Sequence, residues 1–216
     1  MTHTDLAAKD VVAILLCGGR GARLKPRTND IPKPLIPLNG VPILGHVLSY
    51  YRQLGIEKNV VCTGYLADKI ETYLRGAFPS TDVSFSNPGV DTSMLRRLHE
   101  VRHLMSDTVV VGYGDTLVDV DLNEMLRVHR ETRALITITG AHVVSPWGLY
   151  TSEADGQVSS FREKPRQLYY VGQFVAQRSV FDGLKPALLD LPDGEGLVNL
   201  FGQVIQLGRM FHRLYE

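Results

Sequence analysis

Seven apolar residues in a row, Val11-Val12-Ala13-Ile14-Leu15-Leu16-Cys17, run straight into Gly18-Gly19. A run this short with no polar face reads as a strand buried on both sides, the kind found at the centre of a parallel sheet with helices on each face. Thr108-Val109-Val110-Val111 repeats the pattern and ends in Gly112-Tyr113-Gly114-Asp115. Asn59–Thr63, Val83–Phe85 and Leu135–Thr139 read as further strands. Helices alternate with them. Leu44, Val47, Leu48, Tyr51 and Leu54 mark one helical face, with Pro42 before it and Gly55 as the stop. Asp68–Leu74 and about Ser93–Met105 read as helices, and Asp121 with Glu124 three residues on forms a capping box for a helix through His129.

Alternating strands and helices predict an α/β fold: a doubly wound, mostly parallel (mixed) sheet with helices on both faces, Rossmann-like. After Gly140 the pattern changes. Trp147–Thr151, Gln157–Phe161 and Tyr169–Val175 read as short strands, with Glu153-Ala154-Asp155-Gly156 as the turn between the first two. They predict a small β insertion. Helical stretches near Val180–Leu189 and Leu197–Leu207 follow, then a strand over Phe211–Tyr215. With 216 residues the chain suits a single domain over 1–216, which the change of pattern divides into halves over 1–133 and 134–216.

Composition narrows the function. Lys+Arg and Asp+Glu are 23 each, so the net charge is zero, which speaks against nucleic-acid and membrane-surface binding. No apolar run reaches the ~18 residues of a membrane span, and Met1–Asp10 lacks the layout of a signal peptide; the expectation is a cytoplasmic enzyme. Cys17 and Cys62 read as buried free thiols, and the scattered histidines as structural or solvated.

Ligands of open α/β sheets gather at the carboxyl ends of strands. Two unusual loops leave such ends. In the first, Gly18, Gly19 and Gly21 let the backbone approach a ligand and turn its amides toward phosphate oxygens, and Arg20, Arg23, Lys25, Arg27 and Lys33 surround them. A dinucleotide fingerprint is excluded, because its third glycine would fall on Leu24, and no Gly-Lys-Ser/Thr of a Walker loop is present. In the second, Asp115 is a carboxylate at a strand end, a natural Mg²⁺ ligand beside phosphates. Asp121 reads as a helix cap, and Asp119 is left open.

Gly18-Gly19-Arg20-Gly21-Ala22-Arg23-Leu24-Lys25-Pro26 followed by Pro32-Lys33-Pro34-Leu35 resembles the signature of the sugar-1-phosphate nucleotidyltransferases. Phe161-Arg162-Glu163-Lys164-Pro165 is similar to that family's Glu-Lys-Pro element. The resemblance implies transfer of a nucleoside monophosphate from an NTP to a sugar-1-phosphate, with Mg²⁺ as cofactor. It places Arg23 on the departing pyrophosphate, Lys33 between donor and acceptor phosphates, Asp115 on the metal, and Lys164 on the acceptor phosphate. By the resemblance the half over 1–133 would be nucleotide-binding, through Leu16, Cys17, Gly18, Gly19, Gly21, Thr92, Ser93 and Gly114, and the half over 134–216 acceptor-binding. The acceptor would contact Gly148, Glu163, Lys164, Tyr170 and Gly172. Tyr113–Asp121 is most similar to the glucose-1-phosphate cytidylyltransferases, and Asp30–Pro34 resembles heptose- and mannose-1-phosphate guanylyltransferases, so CTP or GTP is the expected donor. A homo-oligomer is compatible with this reading.

Two departures keep alternatives open. Tyr170 stands where the family usually has Asn, and Asp91-Thr92-Ser93-Met94 replaces a Thr-Gly-Gly. The family's second metal-binding Asp is expected after the last helices, about where this sequence ends; three expectations stay open, that the chain is cut short there, that Glu216 or another acid substitutes, or that the second ligand is absent. A cytidylyltransferase for phosphocholine or a small phosphonate is one alternative, since an aromatic ring can face a quaternary ammonium. A non-catalytic nucleotide-binding homologue is the other.

Overall fold

A computed structural model describes residues 8–192 and 194–215. Glu216, the acid nearest the expected second metal position, lies outside them. The chain forms β1 (Val12–Leu16), β2 (Pro37–Leu38), β3 (Val41–Pro42), α1 (Ile43–Gln53), β4 (Lys58–Cys62), α2 (Ala67–Ala77), β5 (Asp82–Ser86) and α3 (Met94–Glu100). It continues through β6 (Thr108–Tyr113), α4 (Leu122–Glu131), β7 (Ile136–Val144), β8 (Leu149–Ser152), β9 (Val158–Arg162), β10 (Arg166–Gln177), α5 (Pro186–Leu189), α6 (Glu195–Gln206) and β11 (Met210–Tyr215).

Seven strands form the main sheet in the order β11-β7-β10-β6-β1-β4-β5. β10 is antiparallel to both β6 and β7, while the other pairs are parallel, so the sheet is mixed as expected. Strand periodicity splits its core in two. Val12, Ile14 and Leu16 point to the face covered by Leu95 and Leu98 of α3, Leu189 of α5, and Leu197, Leu200 and Val204 of α6. Ala13, Leu15 and Cys17 point to the face covered by Leu44, Val47, Leu48 and Tyr51 of α1, Ile70 and Leu74 of α2, and Leu122, Met125 and Leu126 of α4. The apolar run was unbroken because both its faces are packed.

β8 and β9 pair with each other as a separate two-stranded hairpin, the predicted insertion. Its turn closes through Glu153 N–H to Gln157 O, with Gly156 at φ 89°.

Three expectations change in extent. The stretch 180–189 is not one helix: Gly183 takes φ 68°, and Lys185 is extended ahead of Pro186, so only one turn, α5, forms. The helix expected to run to Met105 ends at Glu100 and resumes as a separate 3-10 turn over Arg102–Leu104. β7 runs on past Gly140 to Val144 because β10 pairs with it as far as Arg166. That pairing lengthens β10 well beyond Tyr169–Val175.

Candidate active site

β1 pairs in parallel with β6, setting Leu16 opposite Tyr113. The glycine-rich loop and the Gly114-Asp115 turn therefore leave adjacent strand ends on the same side of the sheet. Gly114 N–H donates to Leu16 O at 3.1 Å and draws the two exits together. Between them opens a cavity of about 980 Å³. Leu16, Cys17, Gly19, Gly21, Arg23 and Lys33 line one side, with Tyr113 and Asp115 below and Val90, Asp91, Thr92 and Met94 opposite. Lys33 Nζ lies 2.7 Å from Asp115 Oδ2. Arg23, Lys33 and Asp115 thus share one cleft, although 92 residues of sequence separate the first from the last.

Local chemistry explains why the loop holds this shape. Gly21 adopts φ 60°, a left-handed conformation that glycine takes without steric cost. Its carbonyl accepts the hydroxyl of Thr28, which is fully buried. Tyr65 ties the loop from outside: its N–H donates to Gly18 O, and its hydroxyl to Thr28 O and Asn29 O. Pro32 to Leu35 closes a single 3-10 turn through Leu35 N–H to Pro32 O, which fixes Lys33 on the cleft side. Lys25 and Arg27, also counted among the loop's cations, are outside the cavity lining.

Arg97 was not recognisable from sequence. It is 3% exposed, and its guanidinium donates to Thr63 O, Gly89 O, Val90 O and Thr92 O. It joins the end of β4 to the wall opposite the glycine loop. A side chain at Gly18 would run into that guanidinium. Within a helix read only for its apolar positions, an arginine looks like part of a solvated face; burial reversed that. Arg20 and Asp91 were likewise not paired in advance, yet their side chains meet at 3.0 Å across the mouth of the cleft.

Cys17 and Cys62 are buried free thiols, as expected. Burial raises the Cys17 thiol well above its ordinary range, and that of Cys62 to about 12. Neither is an activated nucleophile. Cys17 instead packs so closely on Gly114 that a Cβ there would meet its sulfur. Ser93 caps α3, accepting Arg96 N–H at 3.2 Å and donating to Leu189 O at 2.9 Å, so its hydroxyl is engaged away from the cleft. Thr92 lines the cleft. Asp121 is the expected cap of α4, accepting Glu124 N–H at 3.0 Å.

The acceptor-side residues divide into two places. Gly172 (φ 91°) lies against the Tyr113 ring, and Tyr170 is hydrogen-bonded to Tyr113, which lines the cleft. Burial is the main reason the Tyr170 hydroxyl holds its proton beyond the ordinary tyrosine range. The Tyr170 ring packs edge-on against Phe201, 6.0 Å between centroids. Gly148, Glu163 and Lys164 lie on the exposed β8–β9 hairpin, outside the cavity lining. A Cβ on Gly148 would run into the Phe161 ring and sit 3.4 Å from the Glu163 carboxylate.

Among the described residues there is no cluster of three or more His, Cys, Asp or Glu able to hold a metal. Asp115 stands alone as a strand-end carboxylate with a cation, Lys33 Nζ, against it. A single carboxylate suits Mg²⁺, which takes its remaining ligands from substrate phosphates and water. No helix among the described residues is long and apolar enough to cross a membrane.

An α/β sheet with a glycine loop, two cations and one carboxylate at the ends of neighbouring strands defines a phosphate-handling enzyme of the nucleotidyltransferase type. The chain belongs to the nucleotidyl transferase family, whose model matches residues 12–195. It is 32% identical over 212 residues to the "Probable glucose-1-phosphate cytidylyltransferase" of Bacillus subtilis (strain 168), covering 87% of this chain and 83% of that one. It is 34% identical over 170 residues to the UTP–glucose-1-phosphate uridylyltransferase of Synechocystis, covering 71% of this chain and 44% of that longer protein. A crystal structure from Bacillus anthracis, with bound sucrose, shares the fold at TM-score 0.74 and 19% identity, covering 94% of this chain and 86% of that one.

Proposed function

We propose that this enzyme transfers a nucleoside monophosphate from CTP or GTP to a sugar-1-phosphate, yielding a nucleoside diphosphate sugar and pyrophosphate. The observation that carries the reading is the convergence of Arg23, the Lys33–Asp115 contact and the glycine-loop main chain on one cavity. The base and ribose lie along Leu16, Cys17, Gly18, Gly19 and Gly21, facing Thr92, with Ser93 holding that wall through its cap and Gly114 closing the floor.

The acceptor's phosphate oxygen is already nucleophilic at neutral pH, so no general base is needed. It attacks the α-phosphorus; the new P–O bond forms as the bond to pyrophosphate breaks, and the electron pair leaves with pyrophosphate. Arg23 and Lys33 stabilise negative charge on the departing group and on the phosphorus under attack. Asp115 would hold Mg²⁺, whose charge screens the triphosphate. Lys33, which now contacts Asp115 in the same cleft, would contact the phosphates. Lys164 receives the acceptor phosphate and Glu163 its hydroxyls, while Gly148, Tyr170 and Gly172 shape the sugar side. This reading requires the hairpin, which lies outside the cavity lining, to meet the acceptor at the cleft.

The test is pyrophosphate release with CTP, GTP, UTP and dTTP, each against glucose 1-phosphate, mannose 1-phosphate and phosphocholine. Release that requires a sugar phosphate supports the proposal. Release with phosphocholine alone replaces it with the small-phosphate reading. Silence throughout, with nucleotide still bound, leaves a non-catalytic homologue.

A further inference from the structure

At the opposite end of β6 from Asp115, the structure has a second cavity, of about 510 Å³. Arg130, Arg133 and Arg209 line it, together with Thr108, Ser179 and Gln177. Among the described residues no carboxylate lines it. In a chain with no net charge, the guanidiniums of Arg133 and Arg209 at one polar hollow call for an anion.

Two turns build this wall. The one between α4 and β7 carries Arg133, and the one between α6 and β11 carries Arg209. They are joined by Leu135 N–H to Arg209 O at 2.8 Å and by Arg209 Nε to Arg133 O at 2.7 Å. Cations near helix C-termini are favourable against the helix dipole by about 0.3–1 kcal/mol, which accounts for their sign alone. Arg133 shows more. Its backbone has φ 50°, a conformation where glycine would be cheaper. The position nevertheless carries a long cationic side chain, and the residue lines the cavity.

The floor is rigid and uncharged. His129, 1% exposed, lies between Thr137 Oγ1 (2.8 Å from Nδ1) and Gln177 Nε2 (2.9 Å from Nε2). The Gln177 amide donates to His129 Nε2 and to Thr108 Oγ1, so His129 donates from Nδ1 and is neutral. Among the described residues no acid lines the hollow beside Arg133 and Arg209, and the imidazole beneath them adds no charge of its own.

We infer that this cavity is a binding site for a phosphate-bearing small molecule, a phosphomonoester or a phosphoanhydride, held by Arg133 and Arg209 and remote from the catalytic cleft. It does not depend on the reading of the cleft. Its volume falls within the ~300–1,000 Å³ of small-molecule sites, large enough for more than a bare phosphate.

The experiment is calorimetric titration of the full chain with inorganic phosphate, pyrophosphate and glucose 1-phosphate, in an Arg23→Ala/Lys33→Ala background that disables the cleft. One saturable site is expected to survive there. Arg209→Gln and Arg133→Gly should each weaken it tenfold or more. Arg133→Gly relieves the left-handed backbone, so its Tm should hold or rise, which separates lost binding from lost folding. Preference among the three probes tells an inorganic source from a sugar phosphate. A flat titration in the cleft-disabled protein, or binding indifferent to both arginine substitutions, overturns the proposal and leaves the arginines as helix-end charges.

Discussion

The two sides of the proposed reaction are built differently. On the donor side, neighbours crowd the glycines: Gly18 against the Arg97 guanidinium, Gly114 against the Cys17 sulfur, Gly21 against Thr28. On the acceptor side, Gly148, Glu163 and Lys164 stand on a hairpin whose strands are exposed throughout, with Trp147 76% and Phe161 64% accessible. These contacts shape the cleft without a ligand, so a triphosphate bound there as proposed would cost little ordering. In the proposed reaction the hairpin would be positioned by substrate, which would leave selectivity for the acceptor free to vary without disturbing the core.

The sharpest way to break this contrast is at the cleft. Arg23→Ala should lower turnover by roughly 100- to 1,000-fold, the loss typical of a donor aimed at transition-state charge, with Tm unchanged because Arg23 is exposed. Intact turnover, measured by pyrophosphate release, would count against the donor-side assignment.

The next effect comes from pH. Burial, helped by the charge of Arg209, lowers the His129 pKa from 6.5 to about 4. Between those values the unfolded chain binds a proton that the folded chain refuses. Stability from this group is complete above pH 6.5 and is lost as pH falls toward 4, by on the order of 3 kcal/mol. Denaturant melts across pH 4–7 should show this slope, and His129→Gln should flatten it.

Gly114→Ala should cost about 1–3 kcal/mol, since overpacking a filled core forces neighbours to shift, and should weaken nucleotide binding. Gly148→Ala meets only exposed hairpin atoms, so it should leave Tm in place and raise KM for the acceptor alone. Equal losses of stability in the two variants would erase the contrast. The smallest effect is expected from Trp147→Ala, within about 0.5 kcal/mol in a chemical melt; a larger loss would mean that the hairpin is packed.

Much of this was legible from local pattern. Strand and helix periods follow from which side chains must be hidden, so the apolar run at Val11–Cys17 and the face of α1 were readable residue by residue. The glycine loop, Lys33 and Asp115 were legible as chemical types at strand ends. Arg97 was not, because nothing local distinguishes a guanidinium that satisfies four main-chain carbonyls from one in water. The pairing of Arg20 with Asp91, 71 residues away, was hidden for the same reason.

Sequence by itself determined the alternation of elements, the two-faced core and the inventory of phosphate-binding groups, since these depend on polarity and backbone freedom at each position. Tertiary structure alone decided that Lys33 touches Asp115, that Ser93 turns to Leu189, and that Arg130 of α4 and Arg133 and Arg209 of two distant turns line one hollow. Those outcomes depend on strand order and on which ends of the sheet face each other, and chain position does not encode either one directly.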